Sequence, residues 1–348
     1  MSDSSKKKIR IRFDGEFLKL LLIMAGVFFL FTMINPKFAM RANVRSMMFQ
    51  LPELGFYTLA MMMAILVGGR DLSIVSVGNL SAVVACRIMQ IPVKNGYTGL
   101  QEFAFILLGI VCALLVGLLV GAFNGFVISK WGIPPMLATM AMSYVILGIA
   151  LIMTAGKAIT GTPEAYHGYG NKTLLGIPYT TWLLILAIAF SAVLLYKTRF
   201  GFDVKMVGSN PMAARFSGTN LFHVIEKAFI YSGVMSSICG LCILMRNDAA
   251  QPDYATTYST VAILSAVLGG TNPKGGVVKL FCIMAALLSL QFLSSGFNIA
   301  HLSAFYKEFT WGGLLIITMA SNSIYSMYRQ KQGEKKAGKR SGKEAPKE

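Results

Sequence analysis

The sequence predicts an all-α polytopic membrane protein of about ten transmembrane helices, with both termini in the cytoplasm. Three observations carry this. Hydrophobic residues fill 55% of the 348 positions and charged ones only 14%, where a soluble domain carries about a quarter charged. Apolar runs of about 20 residues recur, each enough as a helix to cross a hydrocarbon layer ~30 Å thick. The alternating ~10-residue strands of a membrane barrel do not occur, and helices are then what can satisfy backbone polar groups in lipid.

Residues 1–16 open with the basic MSDSSKKKIRIR and read as a cytoplasmic segment. Phe17–Ile34 is the first apolar run, closed by Asn35-Pro36; no small-residue cleavage site follows, so it reads as an uncleaved span. The second runs from about Met47 to Val67, and Gly68-Gly69-Arg70-Asp71-Leu72-Ser73 separates it from a third, Ile74 to Ile91. The fourth, Phe103 to Ser129, places Gly117, Gly121 and Gly125 four residues apart, a stripe that lets a neighbouring helix approach closely. Pro135 to Met153 is the fifth. A polar loop precedes the sixth, Thr180 to Tyr196. Beyond residue 220 lie His223 to Met245, a short Tyr258 to Gly270, Val277 to Gly296, and Phe309 to Tyr328. The membrane domain thus covers 17–328, and the Lys/Arg/Gly/Glu-rich tail 329–348 reads as disordered and cytoplasmic.

Ten spans place both termini on one side. Of the 32 Lys and Arg, 23 then fall on the cytoplasmic side, as the positive-inside bias requires. That bias also accounts for the net charge of +17, so no nucleic-acid partner is expected.

The stretch 197–220 stands out between apolar runs, with Lys197, Arg199, Lys205 and Arg215 against Asp203. Within it Asn210–Ser217 reads as one short helix: Asn210 is the N-cap, Pro211 suits the first position, and Gly218 ends it. Such a helix is not needed to cross the bilayer. It reads as a cytoplasmic handle for a soluble partner.

Residues able to carry chemistry are few. Glu53 follows Pro52 in the second span, and either lines a polar passage or caps a helix that starts later. Asp71 and Ser73 stand where the third span begins, suited to its free N–H groups or, as the alternative, to contact with a solute in the translocation pathway. Gly68-Gly69 and Gly269-Gly270 each end a span on the same predicted side, as paired helix breaks or as tight turns. Intramembrane acids are too scarce for an ion-coupled carrier, the rival reading from another class. Cys239-x-x-Cys242 lacks the further ligands of a metal site. No phosphate-cradling G-x-x-x-x-G-K-[ST] occurs, and no nucleophile stands with a base and an orienting group. No enzyme activity, cofactor or metal is expected of the chain itself.

With these residues assembled, the chain resembles the membrane permease subunits of ABC importers of the ribose/monosaccharide type. Gly68-Gly69-Arg70-Asp71-Leu72-Ser73 resembles the family's G-G-I-D-L-S. Asn124-Gly125 followed by Gly132-Ile133-Pro134-Pro135 resembles its N-G…G-I-P-P. Gly208-Ser209-Asn210-Pro211 with Ala213-Ala214-Arg215-Phe216-Ser217-Gly218 resembles its coupling loop, and Val267-Leu268-Gly269-Gly270 its V-L-G-G. The likeness spans about residues 17–328. It implies a bacterial inner-membrane location and a passage formed with a second copy or a paralogue. It also implies a separate ABC ATPase, carrying ATP and Mg, docked on Gly208–Gly218, and an extracytoplasmic solute-binding protein delivering a small polar solute. Related permeases carry nucleosides, furanosyl signals or branched-chain amino acids. Arg70, and the polar Gln50, Pro52 and Glu53, depart from the pattern; they fit a solute other than ribose, and Arg70 equally fits a pairing with a lipid headgroup or with the surroundings of Asp71.

Overall fold

The computed structural model describes residues 15–303 and 305–321. The expectations for residues 1–14, the end of the last span and the tail lie outside them.

Among the described residues ten apolar helices follow in chain order, with shorter elements between. They are α1 Gly15–Ile34, α2 Arg41–Leu66, α3 Ile74–Asn95, α4 Leu100–Trp131 and α5 Pro135–Thr154. Then come α6 Glu164–His167, α7 Tyr179–Lys197, α8 Arg199–Ser209, α9 Pro211–Phe216 and α10 Leu221–Asn247. Last are α11 Tyr258–Leu268, α12 Leu280–Ile299 and a helix α13 at 305–321. The short α6, α8 and α9 lie outside the apolar set. Among the described residues eight helices are long and apolar enough to cross a membrane. At 11 residues, α11 is only ~16 Å long and crosses about half of one.

Local signals set most boundaries. Gly96 and Gly132 close α3 and α4 in the left-handed conformation, and Pro135 starts α5 at its first position. α2 begins at Arg41, earlier than the sequence predicted, after a 3-10 turn Pro36–Ala39 capped by Asn35. Pro52 therefore lies inside α2, where it removes one backbone hydrogen bond.

α10 is the axis of the bundle, packed along α4, α2 and α3. The predicted glycine stripe is the reason. A Cβ on Gly121 would lie 2.5 Å from the Phe229 carbonyl oxygen, and one on Gly125 2.6 Å from the Glu226 Cα. Gly117 and Gly233 face each other so closely that either Cβ would overlap the other's carbonyl. Backbone-to-backbone contact supplies van der Waals attraction that hydrophobicity cannot supply between helices in lipid. Buried hydroxyl pairs add to it: Ser81 with Ser237 joins α3 to α10, and Thr58 with Ser265 joins α2 to α11, both at 2.8 Å. α1 lies on α12, α5 on α3, and α7 on α2. On the outer side α4 presents Leu107, Leu115, Leu119 and Phe123.

The polar loop after α5 carries β1 Ile159–Thr160, β2 Thr173–Leu174 and β3 Ile177–Pro178. β1 pairs antiparallel with β4 Ala249–Ala250 after α10, and β2 pairs with β3.

Candidate functional site

Two regions, one at the start of α10 and one around its far end, gather several of the residues singled out by the sequence. The first surrounds α9. Its N-cap is Asn210, whose Oδ1 accepts from the Ala213 N–H at 3.1 Å; Pro211 holds the first position. Ser217 closes the helix and Gly218 turns the chain at φ +81°. Ala214 is buried underneath, while Met212, Arg215 and Phe216 project outward.

Beneath α9 lies an element the sequence reading missed. α8 is a second helix, capped by Thr198, whose hydroxyl accepts from the Gly201 N–H at 3.2 Å. It buries Gly201, Val204 and Val207, a spacing of three residues that marks one helical face. Lys205 ties it to α7, donating to the Leu195 carbonyl at 2.8 Å and lying over the Tyr196 ring. Burial pulls the Lys205 ammonium below the ordinary lysine pKa.

α8 also brings three glycine-bearing stretches to one point. A Cβ on Gly208 would overlap the Leu66 carbonyl oxygen at the end of α2 and stand 2.5 Å from the Gly276 nitrogen. The Gly276 N–H itself donates to Leu66 O at 3.0 Å. Gly275, at φ +96°, leaves room for no side chain, since a Cβ there would come 2.9 Å from both Gly208 O and Gly68 N. The break after α2, the end of α8 and the loop after α11 thus form one joint. The next element after α9 is α10 itself.

The second region lies at the far end. Glu53, 2% exposed, pairs with Arg246 of α10 at 2.8 Å. Its other oxygen accepts from the Tyr254 hydroxyl at 3.2 Å. This contact with the guanidinium is an ion pair rather than an aligned hydrogen bond. Arg246 also donates to the Phe49 carbonyl and to Asn247 Oδ1, both at 3.2 Å.

Tyr254 belongs to an irregular segment, residues 251–257, between β4 and α11. Asn79, in the buried interior of α3, donates to the carbonyls of Pro252 at 3.1 Å and Tyr254 at 2.9 Å. Irregular backbone within a membrane bundle is tolerated where protein satisfies it, and half-length helices beside such segments are where transporter folds place their sites.

Comparisons with known proteins place the chain among transport permeases. Residues 43–319 match the family described as branched-chain amino acid transport system / permease component. The chain is 33% identical to the ribose import permease protein RbsC of Bacillus subtilis, over 89% of this chain and 94% of that one. It is 28% identical to the L-arabinose transport system permease protein AraH of Escherichia coli K12, over 90% of each chain. It is 26% identical to the L-arabinose ABC transporter permease protein AraH of Azospirillum brasilense, over 90% of this chain and 88% of that one.

The chain belongs to this permease family. It is the permease component of an ABC transporter, a multi-pass protein of the bacterial inner membrane.

Within the permease, the predicted residues separate into four groups. Gly208, Asn210, Pro211, Ala213, Ala214, Arg215, Ser217 and Gly218 lie on α8, α9 and their flanking turns, with Gly68 against them. Asp71, Ser73 and Asn124 form a buried network. Asp71 Oδ1 accepts from the Ser73 N–H at 3.0 Å and hydroxyl at 2.6 Å; its Oδ2 accepts from Ser232 at 2.7 Å, and Asn124 donates to the Ser73 hydroxyl at 3.0 Å. This network fastens the start of α3 to α4 and α10. Glu53 stands apart, in the middle of α2. The earlier start of α2 removes the helix-cap reading for it. Gly69 and Gly269 each sit at the end of a helix, with Gly270 turning the chain at φ +81°. These ends are tight turns in form. Arg246, Tyr254 and Asn79 were missed; a lone Arg at the end of a span reads as a flanking charge, and its partner lies 193 positions away in the sequence.

Proposed function

We propose that this permease is the membrane subunit of an ATP-driven importer for a sugar or similar small polar solute. It works by alternating access, paired with a second copy or a paralogue. The sugar assignment rests on the ribose and arabinose permeases it resembles along nearly its whole length. The single observation that carries the mechanism is the joint at Gly208. An ATPase gripping α9 from the cytoplasm would act on the end of α2 through Gly208 and on the start of α10 through residues 217–220. No adjustable side chain stands between the backbones to absorb the motion. Hydrolysis belongs to the partner subunit, where ATP and Mg are bound, and a solute-binding protein delivers cargo to the opposite end.

The test is copurification. The tagged permease, extracted in detergent, is expected to carry an ABC ATPase with it. Arg215→Ala removes an exposed side chain of α9 that makes no ion pair or side-chain hydrogen bond among the described residues. The variant should insert normally, hold the ATPase at least about fivefold less well, and lose uptake. Full ATPase recovery with normal uptake would count against α9 as the docking element. Uptake driven by an ion gradient in proteoliposomes lacking the ATPase would replace this reading with that of a secondary transporter.

A further inference from the structure

Beside α9, a cleft of about 360 Å³ opens between the start of α8, the turn after α9 and the first turns of α10. Arg199 and Lys227 enter it from different helices. Asp203 lines it too, yet comes within ion-pair distance of neither, and among the described residues both cations lack any ion pair or side-chain hydrogen bond. Donors around them are also free. The Asn220 carboxamide oxygen accepts from the His223 N–H at 3.4 Å, which leaves its NH₂, and the Thr219 hydroxyl has no partner among the described residues. Ser217 is engaged, donating to the Ala213 carbonyl at 3.0 Å. His223 lies 3.7 Å from Glu226 and carries charge only when protonated. The fixed charge of the cleft is therefore two cations against one acid.

A guanidinium fork and an ammonium converging with neutral donors suit a phosphate oxyanion. Depth decides which phosphate. Arg199 opens α8 directly beyond the end of α7, and Lys227 lies six residues, ~9 Å, into α10. Both α7 and α10 are long and apolar enough to cross the membrane, so an anion touching both cations lies at the level of the headgroups. The last turns of α7 present Phe190 and Val193 outward, an apolar surface for acyl chains. Basic pockets between the ends of membrane helices are sites for anionic headgroups. We propose that this cleft holds the phosphate of an anionic phospholipid of the phosphatidylglycerol class, with Arg199 and Lys227 as its charge partners and Thr219 and Asn220 as further donors. The lipid ties α8 to α10, the helices that flank α9, at the membrane surface. This inference goes beyond the importer reading and requires only the placement of α7 and α10 in the bilayer.

The test counts lipid retained per chain by native mass spectrometry, after the purified permease is exchanged into micelles containing phosphatidylglycerol or phosphatidylcholine. Wild type should hold the first and not the second. Arg199→Gln with Lys227→Gln should retain roughly tenfold less or lower, since each cation near a membrane surface contributes about fivefold. Lys197→Gln removes a nearby exposed charge outside the cleft and should match wild type. Asp203→Asn should retain more lipid than wild type, a gain that a packing defect would not produce. Arg199 and Lys227 are exposed, so monodisperse yield should be unchanged; if the double variant does not extract folded, Lys227→Gln against the charge-keeping Lys227→Arg reads the same loss. Equal retention in all variants, or equal loss with Lys197→Gln, overturns the site. Inorganic phosphate and glycerol 3-phosphate serve as free-anion arms: binding of these without phosphatidylglycerol makes the occupant a soluble phosphate and overturns the lipid assignment. Unchanged lipid with loss of the copurifying ATPase makes the cleft a seat for an acidic side chain of that partner and overturns it likewise. Absence of any ATPase partner would sink the importer reading and leave the lipid counts as they are.

Discussion

At the scale of single residues, the pair Glu53–Arg246 offers the sharpest energetic test. Glu53 is nearly inaccessible, and the Arg246 side chain is 20% exposed. Removing one partner leaves the other charge buried and unmatched, at a cost of ~3–5 kcal/mol, whereas replacing both with apolar residues of similar size is close to neutral. Glu53→Leu alone should therefore lower the thermal midpoint of the detergent-solubilised permease strongly. Adding Arg246→Met should restore most of the loss. Equal instability in the single and double variants would mean that the pair does not carry the fastening of α2 to α10. Asp71 is a different case: its three hydrogen bonds come from neutral donors, so it holds the start of α3 in place rather than balancing a cation. At this scale the sequence marked Glu53 and Asp71 as unusual. Only contact with Arg246 and Ser232 separated their roles.

Among elements, the seam between α4 and α10 makes the clearest prediction. Gly233→Ala puts a methyl into the Gly117 carbonyl, and since both are backbone the helices must move apart. Gly148 of α5 has nothing within 4 Å of the same position, and there alanine is the better helix former by up to ~1 kcal/mol. Gly148→Ala should thus match or exceed wild type in melting temperature and yield, while Gly233→Ala should lose folded protein on extraction. Similar behaviour of the two would show that the seam is looser than its geometry. The glycine stripe on α4 was legible because its four-residue spacing is a local pattern. α8 was not legible. Its buried face of Gly201, Val204 and Val207 is short and weakly apolar, and becomes a face only once α7 and α2 lie beside it.

For the whole molecule, the question is how a grip on α9 reaches the far end. Gly208→Ala leaves the outer surface of α9 intact but forces α8 away from Leu66. The expected result is an importer that still copurifies with its ATPase yet transports roughly tenfold less, within the 0.5–2 kcal/mol by which positions between two coupled sites act. Normal uptake in this variant would move the transmission route elsewhere. α10 gives the route its reach: 27 residues span ~40 Å, from the turn after α9 to Arg246 and its partner Glu53.

The sequence by itself determined what depends on neighbours along the chain. Those features are the apolar spans, the cap at Asn210 with Pro211 behind it, the stop at Gly218, the stripe on α4 and the family membership. Each is written within a few turns of helix, where side-chain spacing and backbone preference act directly. Only the tertiary structure decided that Leu66, Gly208 and Gly276 meet, that Arg246 neutralises Glu53, and that residues 251–257 run into the bundle against Asn79. Those contacts join residues far apart in the chain, and they form because packing closes the backbones together and a buried charge or carbonyl must then find whatever partner the fold brings to it.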